Sequence, residues 1–379
     1  MFRYWPEGTP EAENFSTVLV GLFSEATQGA ADPNELLRIA GGIRCGNRED
    51  WTRSFLAMAE QVSALAEEAG RQRRTRTASD AHLRAFTYFR VAELMCRYGE
   101  PQKIPLYRRA LDSFRRGLSL SAHRHEPVSI AFDGYAMEGW FFPPQAAAEA
   151  RLARGGRVPC VIFLSGADAL PEQNFFRGAQ WLTARGLACL VFNGPGQGGT
   201  IRLLGKPTIP DYERPVAAVV DYLQERPDVD PGRIGLLGVS MAGYYGMRAA
   251  AFEPRLQAVV AWGAMYSVLD DLWRCYPPLR RQLVWITGSK DEAEAQAKLR
   301  AFTLEGILAR VRIPALITHG VNDEMVPLAS AQRTYDEIGS TDKTLRPYTA
   351  EEGGDTHINI DNWSQVVPVM ADWLAERLA

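Results

Sequence analysis

The sequence predicts an α/β protein: a mostly parallel, doubly wound sheet preceded by a separate α-helical domain. Three observations carry this. Residues 1–125 show apolar side chains recurring three and four apart, with no strand-like alternation among them. Near residue 126 the pattern changes to two short alternating runs, Val128 to Phe132 and Met137 to Phe142, separated around Asp133-Gly134, a hairpin signal. Beyond the hairpin, short β-branched runs alternate with helix-length amphipathic stretches, the order that builds a parallel sheet covered on both faces. The expected domains are 1–125, helical, and 126–379, α/β.

Each element has its own signal. Residues 11–26 place Phe15, Val18, Leu19, Leu22 and Phe23 on one helix face, and a second helix fits 33–41. A third, 48–69, repeats Trp51, Phe55, Met58, Val62 and Leu65. A fourth, 79–98, carries Leu83, Phe86, Phe89, Val91, Leu94 and Met95 and is stopped by Gly99 and Pro101. A fifth fits 103–119. In the second domain strands fit 158–164, 187–192, 233–239, 257–262, 313–319 and 343–348. Helices fit 172–185, 211–225, 241–252, 328–338 and 363–378. Residues 268–306 have no clear pattern and read as an insertion near the site.

Bulk properties narrow the function. With 379 residues, 46% hydrophobic and 23% charged, the chain can bury a large core. A net charge of -3 gives no basic footprint, so no nucleic-acid partner is expected. Five of the 42 basic residues are Lys, which reads as GC-rich bacterial coding. Cys45, Cys96, Cys160, Cys189 and Cys275 include no CxxC pair and are odd in number, so reduced thiols and a cytoplasmic location are expected. The N-terminal MFRYWPEGTPEAENF has no apolar region of a leader, and no run approaches the roughly 18 apolar residues of a membrane span. Metal-type Asp/His pairs are absent, and Gly194-Pro195-Gly196-Gln197-Gly198 lacks the Lys-Ser/Thr of a phosphate loop. No cofactor is expected, and the partner is a small-molecule substrate.

Gly238-Val239-Ser240-Met241-Ala242-Gly243 follows the buried-strand run Ile234 to Leu237 and opens a helix-compatible stretch. Strand, G-x-S-x-small, then helix is the context of a nucleophile elbow, whose sharp turn needs small residues two positions either side of the serine. Ala242 stands where Gly is commoner. This is the signature of an α/β-hydrolase fold, in which the chain order is serine, acid, histidine. His82, His123 and His125 precede the serine, which leaves His319 and His357. His319 ends a strand and opens Gly320-Val321-Asn322-Asp323-Glu324-Met325-Val326-Pro327, so it reads as structural. Asp323 is the expected acid, with Glu324 as the alternative. His357, in the loop Gly353-Gly354-Asp355-Thr356-His357 after the last strand, is the expected base. The oxyanion donors expected are the backbone N–H groups of Met241 and Ala167.

Four segments add a resemblance. Gly166-Ala167-Asp168-Ala169-Leu170-Pro171-Glu172, Asn193 to Gly198, Gly238 to Gly243, and Glu253-Pro254-Arg255-Leu256 with Trp262-Gly263 resemble the 2,6-dihydroxypseudooxynicotine hydrolase and FrsA-like esterase group of α/β hydrolases. The Gly-Pro-Gly-Gln-Gly turn is the most group-specific. The resemblance implies that the N-terminal helices cap the active site, and it allows a homodimer, although no heptad is legible. It departs at Asn193 and Gly199, where the group has acids. The Glu used by the group's aryl-ketone hydrolase is replaced by Ser267-Val268-Leu269-Asp270-Asp271.

Candidate substrate contacts are Gly166, Asp168, Glu172, Asp270 and Tyr88. Each has a bland counterpart: loop acids, a helix start, and helical-domain core shared with Trp51, Phe86 and Phe89. The activity expected is hydrolysis of an acyl compound, either an ester or a ketone or β-diketone cleaved at carbon–carbon, on a mid-sized aromatic or polyketide-like molecule. Two rivals are a lyase of natural-product biosynthesis that eliminates a carboxylate such as acetate from the same Ser–His site, and a catalytically silent fold used for binding.

Overall fold

The computed structural model describes residues 4–5 and 10–379. Residues 1–3 and 6–9, part of the N-terminal stretch read above as lacking a leader, lie outside the described residues. The chain divides into two compact units, one ending at His123 and one running from Arg124 to Ala379.

The first unit is helical: α1 (Pro10–Ala26), α2 (Pro33–Gly41), α3 (Arg48–Arg71), α4 (Thr75–Leu94) and α5 (Lys103–Leu120). Asp32 and Asn47 cap α2 and α3 by accepting from backbone N–H groups of the first turn. Phe15, Trp51 and Phe55 pack in series with ring centroids 4.3 and 4.8 Å apart, and Trp51 Nε1 donates to the Val91 carbonyl at 2.9 Å. Helices α4 and α5 approach so closely that a Cβ on Gly117 would lie 2.7 Å from Leu83 Cγ. The periodicity predicts α4 to reach residue 98, but the helix stops at Leu94. Buried Lys103 explains this: its Nζ takes the Glu93 and Cys96 carbonyls at 3.3 and 3.1 Å and the Glu93 carboxylate at 2.7 Å, so the chain turns there.

The second unit is built on one eight-stranded sheet. Its elements run β1 (Glu126–Phe132), β2 (Tyr135–Phe142), α6 (Ala146–Leu152), β3 (Val158–Leu164), α7 (Gln180–Thr183), β4 (Ala188–Phe192), α8 (Gly198–Arg202), α9 (Glu213–Glu225), β5 (Val229–Val239), α10 (Met241–Phe252), β6 (Leu256–Trp262), α11 (Arg280–Ile286), α12 (Glu292–Leu299), β7 (Ala315–Gly320), α13 (Leu328–Glu337), β8 (Lys343–Tyr348) and α14 (Trp363–Arg377). The spatial order is β1-β2-β4-β3-β5-β6-β7-β8. The β1–β2 and β2–β4 pairs are antiparallel and the remaining pairs parallel. Asp133 and Gly134, at φ 45° and 79°, make the tight hairpin turn the sequence signals. Strands β3 to β7 are buried along nearly their whole length because helices cover both faces.

Chain direction reverses at β3: the chain steps outward to β4, then crosses to β5 on the other side. The crevice beyond the carboxyl ends of β3 and β5 is where such sheets hold ligands. The expected helix over 172–185 is instead a 3₁₀ turn (Pro171–Gln173), a wide π turn (Phe175–Ala179) and α7. Phe175, Phe176 and Ala179 are all buried, and Gly178 sits where a Cβ would lie 2.5 Å from the Phe163 ring, so tight packing displaces the regular helix. Residues 268–306 leave β6 and return to their start, with Val268 N–H donating to Phe302 and Leu304 N–H to Tyr266. Leu272, Trp273, Tyr276, Leu283, Ile286 and Phe302 bury this excursion in the core.

Candidate active site

Ser240 ends β5 and opens α10 at φ 59° and ψ -123°, a conformation costly for a residue with a Cβ. The turn survives because its surroundings over-determine it. Ser240 N–H donates to the Trp262 carbonyl at 2.8 Å, and Gly243 N–H to the Ser240 carbonyl at 2.6 Å. A Cβ at Gly238 would lie 2.0 Å from the Ala242 carbonyl oxygen, which is why the position before the turn is bare. The methyl of Ala242 is accommodated, and Gly243 takes the close contact, facing the Gly263 carbonyl at what would be 2.7 Å.

The loop after β7 supplies Asp323, whose side chain is fully buried. Its Oδ1 accepts from the Met325 and Val326 N–H groups at 2.9 and 2.8 Å, and its Oδ2 meets His357 Nδ1 at 2.8 Å. Burial alone would raise this carboxyl, but its interactions with His357 and His319 and the Val326 N–H outweigh that and hold Asp323 below its ordinary range. His357 Nε2 lies 2.8 Å from Ser240 Oγ. With the Nδ1–H directed at Asp323, Nε2 is free to accept the serine proton. The structure thus brings Ser240, His357 and Asp323 into one continuous hydrogen-bonded chain, whereas Glu324 is exposed.

The His357 loop is held rigidly. Ile358 and Asn359 follow the histidine at φ 47° and 54°. Trp262 Nε1 donates to Asn359 Oδ1 at 3.0 Å, and Asn359 Nδ2 donates to the Gly354 carbonyl. Asp361 accepts from Gly354 N–H at 2.7 Å and from Thr356 Oγ1 at 2.6 Å. The sequence reading missed Trp262, Asn359 and Asp361 as supports; the Trp262-Gly263 pair was the available signal. His319 is buried as expected, with Nε2 2.8 Å from the Val326 carbonyl and 3.6 Å from Asp323 Oδ2. Burial lowers its pKa and keeps the ring neutral.

The loop after β3 presses against the serine. Leu164 pairs with Gly238, and a Cβ at Gly166 would lie 3.2 Å from Ser240 Cβ and 3.6 Å from its Oγ. Met241 N–H heads α10, where the first turn leaves N–H groups without intrahelical partners. The structure gives four of the expected substrate contacts partners within the protein. Tyr88 is wholly buried in the helical unit, its hydroxyl donating to Glu35 at 2.6 Å and accepting from Asp32 N–H at 3.0 Å. Asp270 is exposed and paired with Arg274 at 2.6 Å; the neighbouring Asp271 is the buried acid. Burial pushes Asp271 up while it accepts from Ser330, Ser267 and Tyr266, so it braces the loop after β6. Asp168 spends its carboxylate on Arg202 at 2.9 Å. Glu172 accepts from Trp140 Nε1 at 3.3 Å. No helix among the described residues is long and apolar enough to cross a membrane.

A strained serine at a strand-to-helix turn, beside a loop acid and a loop histidine on this sheet, defines the α/β-hydrolase class. Comparison with known proteins agrees. The model of the prolyl oligopeptidase family matches residues 173–378. An α/β hydrolase of an Acremonium species, ucsC, is 35% identical over 275 residues, covering 68% of this chain and 55% of that one. The hydrolase acrC of Aspergillus aculeatus is 26% identical over 428 aligned positions, covering 100% of this chain and 98% of that one. Among solved structures, the 2,6-dihydroxy-pseudo-oxynicotine hydrolase superposes with a TM-score of 0.80 at 24% identity, over 94% of this chain and 96% of that one, a likeness of fold. The chain belongs to the prolyl oligopeptidase family of the α/β-hydrolase superfamily, a serine-hydrolase class of enzyme. It spans about half the length of the Acremonium relative (55%).

Proposed function

We propose that the protein hydrolyses an acyl compound through a covalent acyl-enzyme, with Ser240 as nucleophile, His357 as general base and Asp323 as the group that orients and stabilises the imidazolium. The observation that carries this reading is the pair of 2.8 Å contacts linking Ser240 Oγ, His357 and Asp323. His357 Nε2 takes the serine proton as Oγ attacks the carbonyl carbon. The negative charge on the former carbonyl oxygen is met by the Met241 and Ala167 N–H groups. The imidazolium then protonates the leaving alkoxide or, for a ketone, the leaving carbanion. Water, deprotonated by the same imidazole, releases the acid and restores Ser240.

The substrate class proposed is a mid-sized aromatic or polyketide-like ester or ketone. The choice rests on analogy with the 2,6-dihydroxy-pseudo-oxynicotine hydrolase, whose fold this chain shares over nearly its whole length. The test is intact-mass spectrometry after exposure to a fluorophosphonate. One adduct on wild type and none on Ser240→Ala is the expected outcome; no adduct on wild type argues against an activated serine. Turnover in ¹⁸O-labelled water separates the chemistries: label in the released acid marks hydrolysis, and its absence marks elimination of a carboxylate.

A further inference from the structure

The Gly194-Pro195-Gly196-Gln197-Gly198 turn after β4 has so far no role in the chemistry, and it touches the loop that carries Ala167. Gln197 is 1% exposed. Its Nε2 donates to the Ser165 carbonyl and, at 3.3 Å, to the Gly166 carbonyl. Ala169 N–H adds a second, longer bond to the Gly166 carbonyl at 3.4 Å. In a planar trans peptide the carbonyl of one residue and the N–H of the next point in opposite directions. Two donors on the Gly166 oxygen therefore fix where the Ala167 N–H points.

A second clamp stands two residues further along the loop. Arg202, at the end of α8, donates from Nη1 to the Asp168 carbonyl and from Nη2 to the Asp168 carboxylate, both at 2.9 Å. Both side chains are nearly inaccessible, and the guanidinium lies 5.2 Å from the Trp285 ring centroid. Asp168 is held at φ 55°, a conformation this fork stabilises. A third link runs from Gly198 N–H to the Ala169 carbonyl at 3.2 Å. The turn that supplies these groups is itself pinned: Asn193 Oδ1 accepts from Gly199 N–H at 2.7 Å, and Asn193 Nδ2 donates to the Glu138 carbonyl at 2.8 Å. Gly198, at φ 40°, is where a Cβ would lie 1.6 Å from Asn193 Oδ1, so only glycine lets Asn193 reach under the turn.

We infer that Gln197 and Arg202 are positioning residues that hold the Ser165–Asp168 loop so that the Ala167 N–H is preset as an oxyanion donor. This rests on the proposed Ser240 mechanism and extends it to residues that touch no substrate. Such a role acts only when negative charge develops on the carbonyl oxygen, so its loss lowers kcat and leaves KM nearly unchanged.

The experiment uses the full chain and p-nitrophenyl butyrate, with wild type, Ser240→Ala, Gln197→Met, Gln197→Glu and Arg202→Lys. Met keeps roughly the volume of Gln197 and removes its N–H donors, whereas Glu, buried against two carbonyls, takes the acid form and keeps a single O–H donor. Folding of each variant is checked by circular dichroism and melting temperature. Expected is a loss of kcat on the order of 10²-fold for Gln197→Met and a smaller one for Gln197→Glu, with KM within about twofold and a matching loss of affinity for a trifluoromethyl ketone inhibitor. Arg202→Lys, which cannot serve two acceptors as a fork, loses several-fold in kcat in the same pattern. A folded Gln197→Met with wild-type kcat overturns the inference, as does a loss confined to KM. If the Gln197 variants do not fold, Arg202→Lys decides by the same criteria. Wild-type protein without Ser240-dependent turnover overturns the underlying mechanism instead, and with it the inference.

Discussion

Ser240 stores strain, and the groups around it show where that strain is offset. At φ 59° its Cβ faces the bare Gly166, where a side chain would come within 3.2 Å of it, while Gly238 and Gly243 let the turn close against Ala242 and Gly263. Ser240→Ala should keep the fold and cut turnover by roughly 10⁶-fold, read as loss of ester hydrolysis. Asp323→Asn keeps the packing but presents an amide where His357 needs an acceptor, so kcat should fall about 10⁴-fold with the melting temperature only modestly changed. Gly238→Ala should instead destabilise the whole chain, by about 3 kcal/mol in a denaturant titration, because the new methyl meets the Ala242 carbonyl. That Ser240, Asp323 and His357 fall where they meet was legible in sequence from their order and local context. The engagement of Asp168 by Arg202 was not, because the two lie 34 residues apart and meet only through folding.

At the scale of elements, loops at the carboxyl edge of the sheet carry the candidate site, each held by bonds within itself and by a neighbour. The loop after β8 is locked through Trp262, at the end of β6, by its bond to Asn359. Trp262→Phe keeps an aromatic side chain but leaves a small cavity and an Asn359 Oδ1 without this donor, of which the lost donor costs about 1–3 kcal/mol. It should also let His357 drift, lowering kcat by up to about 10²-fold while fluorophosphonate labelling slows in parallel. Strand and helix identities were readable from hydrophobic period, since buried parallel strands and amphipathic helices leave different patterns. What failed was regularity. Residues 172–185 have helical composition, yet a π turn wins because Gly178 must seat on Phe163. Residues 268–306 gave no clear period because short helices bury their apolar side chains in several directions at once.

Across the whole molecule, buried titratable groups make stability depend on pH. Burial lowers the pKa of His82 in the helical unit and of His319 in the α/β unit below the ordinary 6.5. The unfolded chain takes up protons at both as pH falls below 6.5 while the folded chain resists, so their contribution is present above 6.5 and is lost on acidification. Asp323 adds a second step of the same sign: held below its ordinary 3.8, it stabilises the fold above that value and ceases to as pH falls through its lowered one. Melting temperature should therefore decline from neutrality toward about pH 5 and fall again in stronger acid. His82→Leu, which removes a buried titrating ring, should flatten the first decline in the same melting series.

Local chemistry was enough to read the α/β class, the elbow at Ser240 and the order serine, acid, histidine, because short-range sterics and hydrophobic period are written residue by residue. It was enough to place Asp323 and His357 on loops, since turn residues mark where strands end. Only tertiary structure decided what each side chain meets. Tyr88 became core, Asp270 a surface ion pair, and Gln197 a brace on the Ser165–Asp168 loop, because burial and hydrogen-bond partners arise when distant segments are packed together.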